Sequence, residues 1–334
     1  MKRVLLGLAA AAILIAPLPA AAEVKTLNVP LGAGGFGFLP LHMMKTHGLV
    51  EKHAKAAGIE LSVNWANIGG PAAMNDALLS GQAHFISAGP PAFITLWDRT
   101  RGNIGVKGAA AISSMPMFLN TNAKHINSLE DFGPNDKMAV TSVKVSIPSI
   151  IMQMYAKSKG YSDVFRFDPL TVSMSHPDAV AALLSEGSGI VAHYASSPFH
   201  EIEIKNKNIR TIQNSDDVMG GSTTFTMVST TTKFYQENPT VYRVFVDALK
   251  EAQEMIKNDP EGAVEVLVAS MGGKSPLSNE ELLQILKRPS TKYTTVPENV
   301  LKYAHFMHEI GSIKHKPGSL TELFFEEEVV KGGN

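Results

Sequence analysis

The sequence contains no cysteine in 334 residues. That absence excludes thiolate nucleophiles, disulfides, iron–sulfur clusters, Cys-ligated zinc and a lipid-modified cysteine anchor. It also lacks an excess of positive charge, with 30 Lys and Arg against 31 Asp and Glu and a net charge of -1. The uniform positive field that drives non-specific nucleic-acid binding is therefore missing, and no nucleic-acid partner is expected. Long apolar runs are absent after the N-terminus, so no later stretch is expected to span a membrane. What is present is an apolar fraction of 44%, enough to bury a core in each of about two domains of ~150 residues.

The one long apolar run covers residues 4–16. Lys2 and Arg3 precede it, Pro17 and Pro19 break it, and Ala20, Ala21 and Ala22 supply small residues where a signal peptidase cuts. The expectation is a signal peptide over 1–22, cleaved after Ala22, and a mature chain outside the cytoplasm.

Downstream, apolar and Gly/Pro patterning predicts strands over 26–31, 59–66 and 84–88, each followed by a Gly- or Pro-rich loop and a helix. Strands over 137–141 and 190–194 are followed in the same way. Such alternation predicts an α/β architecture with largely parallel sheets. An internal repeat sets the domain count. Pro71 leads a helix ending Ala77-Leu78-Leu79-Ser80-Gly81, and Pro177 leads one ending Ala182-Leu183-Leu184-Ser185-Glu186-Gly187. Each is followed by a short strand, then Pro90-Pro91-Ala92-Phe93 or Ser197-Pro198-Phe199. A separation of about 106 residues is too long for a solenoid and suits two similar lobes. The expected division is 23–116 with 222–334 as a discontinuous lobe one and 117–221 as lobe two, joined by a two-strand hinge. Helices are expected over 235–258, 260–271, 279–287 and 297–310.

Gly32, Gly34 and Gly37 have the spacing of a dinucleotide fingerprint, but the second predicted strand ends Trp65-Ala66-Asn67 and offers no acid for a ribose. The loop is read instead as facing a different polar or anionic ligand. Ligands of open α/β sheets lie beyond the carboxyl ends of the strands, which marks out Gly35, Phe36, Gly37 and Phe38, then Gly69 and Gly70, then Ser87, Ala88 and Gly89. In the second lobe the same rule marks Lys144, Val145 and Ser146, and His193, Tyr194 and Ser196. Lys144 and His193 are the basic side chains at those strand ends, and an anion is favoured. Neither His42 with His47 nor His305 with His308 has a metal-ligand pattern, no nucleophile motif occurs, and no cofactor is expected.

The order of these stretches resembles the periplasmic substrate-binding proteins of ATP-binding-cassette importers, in the branch for nitrate, taurine, alkanesulfonates and the thiamine pyrimidine precursor. Phe38-Leu39-Pro40 with Gly48-Leu49, Ile68-Gly69-Gly70-Pro71, Ala77 to Gly81 with His84-Phe85, Ser128 to Phe132 ahead of Met138-Ala139-Val140, and Pro177 to Gly187 carry the likeness. That branch commonly has an aspartate where His84 stands, and an acid near the strand that here reads Val191-Ala192-His193. The resemblance implies a type II two-lobe binding protein, monomeric and without enzymatic activity. It would close on a small organic anion, a sulfonate or carboxylate with an aromatic or alkyl body, and deliver it to an inner-membrane permease. The alternative it implies is pyrimidine-precursor binding or synthesis on the same fold.

Overall fold

The computed structural model describes residues 22–32, 34–68, 70–185 and 187–334. The signal-peptide reading, apart from Ala22, and Gly69 lie outside the described residues.

Three open sheets organise the described residues, two of them side by side in lobe one. In lobe one, β1 (Thr26–Pro30) pairs in parallel with β2 (Ser62–Ala66), and β3 (Ile86–Ala88) and β4 (Val106–Ser114) flank a late strand described below. The two parts meet where the His84 N–H donates to the Asn28 carbonyl and the Asn28 N–H donates to His84 Nδ1 at 3.0 Å. Lobe two holds β5 (Phe118–Thr121), β6 (Lys137–Val140), β7 (Thr171–Ser173), β8 (Ile190–Ala195) and β9 (Arg210–Asn214), in the spatial order β7-β6-β8-β5-β9. The chain then returns through β10 (Thr224–Thr231), which lies antiparallel between β3 and β4. The order in lobe one is thus β2-β1-β3-β10-β4, the same pattern as in lobe two. The crossing strand β5 is antiparallel to β8 and β9, as β10 is to its own neighbours. Where the chain crosses, the Met117 N–H donates to Ser215 Oγ and the Ser215 N–H to the Met117 carbonyl, both at 2.9 Å, so the outgoing and returning segments are tied together.

Helices fill the connections. In lobe one these are α1 (Leu39–Thr46), α2 (Leu49–Ala56), α3 (Pro71–Leu79) and α4 (Pro90–Thr100); in lobe two α5 (Ile147–Ser158), α6 (His176–Leu184), α7 (Phe199–Ile204) and α8 (Ser215–Met219). After β10 come α9 (Thr232–Glu237), α10 (Pro239–Asn258), α11 (Pro260–Ser270), α12 (Asn279–Leu286) and α13 (Val300–Glu309). The helix expected over 235–258 is two helices. Pro239 has no N–H to continue α9 and disfavours a helical conformation at Asn238, where φ is -132°. On lobe one's core, Phe85 stacks on Phe245 at 4.1 Å between centroids and meets Phe234 edge-on at 5.3 Å. All three are buried, and each contributes roughly 1.5–3 kcal/mol of transfer free energy.

β4 has no counterpart among the expected strands. The Gly108 to Ala111 stretch of β4 lacks the β-branched residues that announce a strand. Small residues are required there, because a Cβ on Gly108 would lie 2.6 Å from the Phe324 ring.

Candidate functional site

Four helices begin at the cleft between the sheets: α3 and α4 from lobe one, α5 and α6 from lobe two. Each carries proline in its first two positions, where the missing N–H costs no helical hydrogen bond and φ is already suitable. Their first turns line the cleft through Gly70 and Pro71, Gly89, Ile147 and Pro148, and His176. Each helix start concentrates a partial positive charge equivalent to roughly half an elementary charge. Between them stand Phe38 and Phe225, whose rings meet edge-on at 6.3 Å, with Met74 and Met117. Ser87, Thr141, Thr226 and His176 are the polar side chains of the lining, and among the described lining residues there is no carboxylate, lysine or arginine. The Ser87 hydroxyl is buried and has no hydrogen-bond partner among the described residues.

The lobes are drawn together. The remaining cavity is about 40 Å³, space for about three water molecules. Glycine permits this approach. A Cβ on Gly89 would lie 2.9 Å from the Ile147 side chain, one on Gly70 would lie 3.3 Å from the Thr141 carbonyl, and one on Gly35 would lie 3.0 Å from the Ser197 carbonyl. In each case the approaching group belongs to the other lobe. The Phe36 N–H donates to the Ser197 carbonyl at 3.3 Å, and ion pairs Lys157–Glu309, Arg288–Glu201 and Lys205–Glu281 bridge the lobes around the rim.

Of the residues singled out in the sequence, Phe38, Gly70, Ser87, Ala88 and Gly89 line the cleft. Gly35 is the contact just described. Phe36 is buried, and the Gly37 carbonyl accepts from Ser113 Oγ at 2.9 Å and Thr226 Oγ1 at 2.6 Å. Two of the three fingerprint-like glycines have packing roles: a Cβ on Gly32 would enter the Phe38 ring, and one on Gly37 the Phe225 ring, each at 2.1 Å.

Lobe two requires a correction. Lys144 and Val145 do not join the cleft lining; they face a separate groove with Arg99, Gln153, Asp163 and Asp168. Lys144 has φ of 69°, and its N–H donates to Ser149 Oγ at 3.0 Å, a tight turn that carries the side chain past the cleft. Ser146 Oγ lies 3.3 Å from Ser149 Oγ, and the Tyr194 hydroxyl donates to Gln213 Oε1 at 2.8 Å; neither residue lines the cleft.

His193 is fully buried and reaches the site through another ring. Its Nδ1 is 2.5 Å from Glu203 Oε1, its Nε2 is 2.9 Å from His176 Nδ1, and His176 Nε2 is 3.2 Å from Ser196 Oγ. Burial pushes the Glu203 carboxyl up to about 8 and His193 down to about 3 and holds His176 well below its usual range, so every member of this chain favours its neutral form. The lining residues that sequence reasoning missed include Met117, Ile147, Phe225, Thr226 and His176. The Ser175 N-cap and Pro177 around His176 were a signal for a helix start, and helix starts converge here.

His84, where the resembling branch has an aspartate, stays out of the cleft: Thr230 Oγ1 donates to its carbonyl at 2.6 Å and its ring stacks on Phe234. Among the described residues, no group of three His, Asp or Glu side chains is arranged to hold a metal ion, and no helix is long and apolar enough to cross a membrane.

No protein-family model matches the chain, and no curated protein matches it. Solved structures do. The alkanesulfonate-binding protein of Xanthomonas axonopodis pv. citri, bound to MOPS, superposes with a TM-score of 0.68 at 16% identity, covering 93% of this chain and 99% of that one. The periplasmic nitrate-binding protein of Synechocystis PCC 6803 gives 0.64 at 14%, covering 90% and 84%. A Candida albicans protein described as having the generic periplasmic binding protein fold gives 0.66 at 16%, covering 90% and 94%. The chain has the periplasmic binding protein fold.

Proposed function

We propose that this chain is an extracytoplasmic solute-binding protein, without enzymatic activity, that closes two lobes on a small organic anion and presents it to an ATP-binding-cassette permease. The observation that carries the reading is the convergence of four helix N-termini, two from each lobe, on a buried cleft whose described lining has no carboxylate. Helix starts and free N–H groups favour an anionic head. Phe38, Phe225, Met74 and Ile147 favour an apolar body on the same ligand, and the unpaired Ser87 hydroxyl supplies one oriented hydrogen bond. A sulfonate or carboxylate with a short alkyl or aromatic body meets these demands. Similarity to sulfonate- and nitrate-binding proteins supports the class.

On this reading the hinge runs near 115–118 and 217–224, dividing lobe one at 23–116 and 222–334 from lobe two at 117–221. The chain works as a monomer, and residues 1–22 direct it to the periplasm.

Thermal unfolding of the mature chain against alkanesulfonates, nitrate, carboxylates, pyrimidines and amines tests the class. A ligand at 100 times its dissociation constant adds about 2.7 kcal/mol. Stabilisation by amines alone overturns the anion reading, and stabilisation by a pyrimidine alone moves the chain to the pyrimidine-precursor class.

A further inference from the structure

Lobe two contains a continuous line of hydrogen bonds from a buried carboxyl to a ring that lines the cleft: Glu203, His193, His176 and Ser196. We propose that the proton on Glu203 sets the direction of every hydrogen bond in this line and so decides whether the Ser196 hydroxyl, bonded to the cleft-lining His176 ring, keeps its hydrogen free or spends it on His176. The inference deepens the solute-binding reading and rests on it for its ligand consequence.

Asn120 anchors the far end of the line. Thr211 Oγ1 donates to Asn120 Oδ1 at 2.7 Å, and His200 Nδ1 lies 3.2 Å from the same oxygen, which fixes the amide orientation. Asn120 Nδ2 must then donate to Glu203 Oε2, at 2.7 Å. That oxygen is an acceptor whatever the charge, so a proton on Glu203 sits on Oε1, facing His193. With the proton present, Oε1–H donates to His193 Nδ1, His193 Nε2–H donates to His176 Nδ1, and His176 carries its own proton on Nε2. His176 Nε2–H then donates to Ser196 Oγ, and the end of the line offers one donor, the freed Ser196 hydroxyl hydrogen. With the proton absent, both rings switch to their Nδ1–H tautomers, His176 Nε2 becomes an acceptor, and Ser196 spends its hydrogen on it. An imidazole passes on direction because each neutral ring has one donor and one acceptor.

The surroundings leave Glu203 free to take either state. From α7, His200 stacks on Phe118 with its ring nitrogen turned to Asn120. Glu201, on the same helix, turns to Ser197 and Arg288. From β5 and β8 come Asn120 and His193, and Phe199 stacks on the other face of the His176 ring. Burial raises the Glu203 carboxyl to about 8, so both states are reached near neutral and mildly alkaline pH.

An anion accepts hydrogen bonds and selects the protonated state, so its binding takes up a proton once Glu203 is ionised. Affinity then falls about tenfold per pH unit above the Glu203 titration. Glu203→Gln locks the protonated pattern, with its amide nitrogen donating to His193 and its oxygen accepting from Asn120.

Two measurements test this. The first is the ¹⁵N shifts of the histidine rings in the unliganded wild-type protein from pH 6 to 9.5. Both His176 and His193 should pass from Nε2–H to Nδ1–H as pH rises, and both should hold Nε2–H throughout in Glu203→Gln. A single tautomer across the range in the wild type overturns the proposal without reference to any variant or ligand. The second is titration with ethanesulfonate at pH 7 and 9. The wild type should weaken at least several-fold and Glu203→Gln should not. A tautomer switch with pH-independent affinity overturns the coupling, whereas a tautomer switch with no ethanesulfonate binding at any pH supports the relay and overturns the sulfonate reading.

Discussion

The two lobes share one strand order and differ in what they put behind it. Behind lobe one's sheet is a wall of rings, Phe85, Phe234, Tyr242 and Phe245, with little hydrogen bonding among them. Lobe two fills the corresponding depth with Asn120, His193, His176 and Glu203, every one buried and bonded. Apolar packing is tolerant of charge conditions and specifies shape. A buried polar line is costly when incomplete, and it specifies the direction of each bond. One lobe therefore acts as a rigid platform, and the other tells the cleft which hydrogen-bonding partner to accept.

The largest test of that division is Phe85→Ala. Emptying the ring wall should cost about 3–5 kcal/mol in denaturant unfolding and leave the pH dependence of stability unchanged. A loss well under 1 kcal/mol would mean that lobe one does not depend on the wall.

Next is Glu203→Ala, which leaves His193 Nδ1 and Asn120 Nδ2 facing nothing. The cost should be about 1–3 kcal/mol. The pH dependence has a definite sign. Glu203 is raised from an ordinary value near 4 to about 8, so its contribution is complete below about 4 and is lost as pH rises through 8. His193 and His176 are depressed, so theirs is complete above about 6.5 and is lost as pH falls toward 3. Relative to Glu203→Gln, the wild type should lose stability between pH 5 and 8 in parallel denaturation series; parallel curves would remove Glu203 from the account.

Gly89→Val acts on closure more than on either lobe. Its side chain would press into Ile147 from across the cleft, an overpacking cost of roughly 1–3 kcal/mol felt when the lobes meet. Small-angle scattering with ligand should show a larger radius of gyration than the wild type, and affinity should fall while the unfolding midpoint stays near its original value. An unchanged radius would place the two lobes' contact elsewhere. The smallest effect belongs to the rim. Arg288→Gln should weaken closure by about 0.2–1 kcal/mol, read as a several-fold faster ligand release at low salt that disappears at 1 M salt.

Much of the fold was legible in sequence because the repeated Ala-Leu-Leu-Ser helix recurs before β3 and β8, which occupy equivalent positions in their sheets. β4 was not, since its Gly and Ala residues are chosen for what packs on them and carry no strand signal of their own. The site shows the same limit. Loops beyond strand ends include Phe38, Gly70, Ser87, Ala88 and Gly89, which lie on the cleft lining because that position follows from topology. Lys144 was misplaced there because charge and loop position do not encode a left-handed backbone, and here a φ of 69° decides where the side chain goes. The relay was out of reach for another reason. Glu203, His193 and Asn120 stand on three elements, and only the register of β5 against β8, which sets Asn120 opposite His193, brings them together.

The late insertion of β10 between β3 and β4 also sets an order of events for a chain emerging N-terminus first. β4 has no ladder partner until β10 arrives at Thr224, whereas β5 to β9 are complete by Asn214. β3 and β4 must wait for their shared ladder partner while the middle of the chain folds, so that part of lobe one is the last to become protease-resistant.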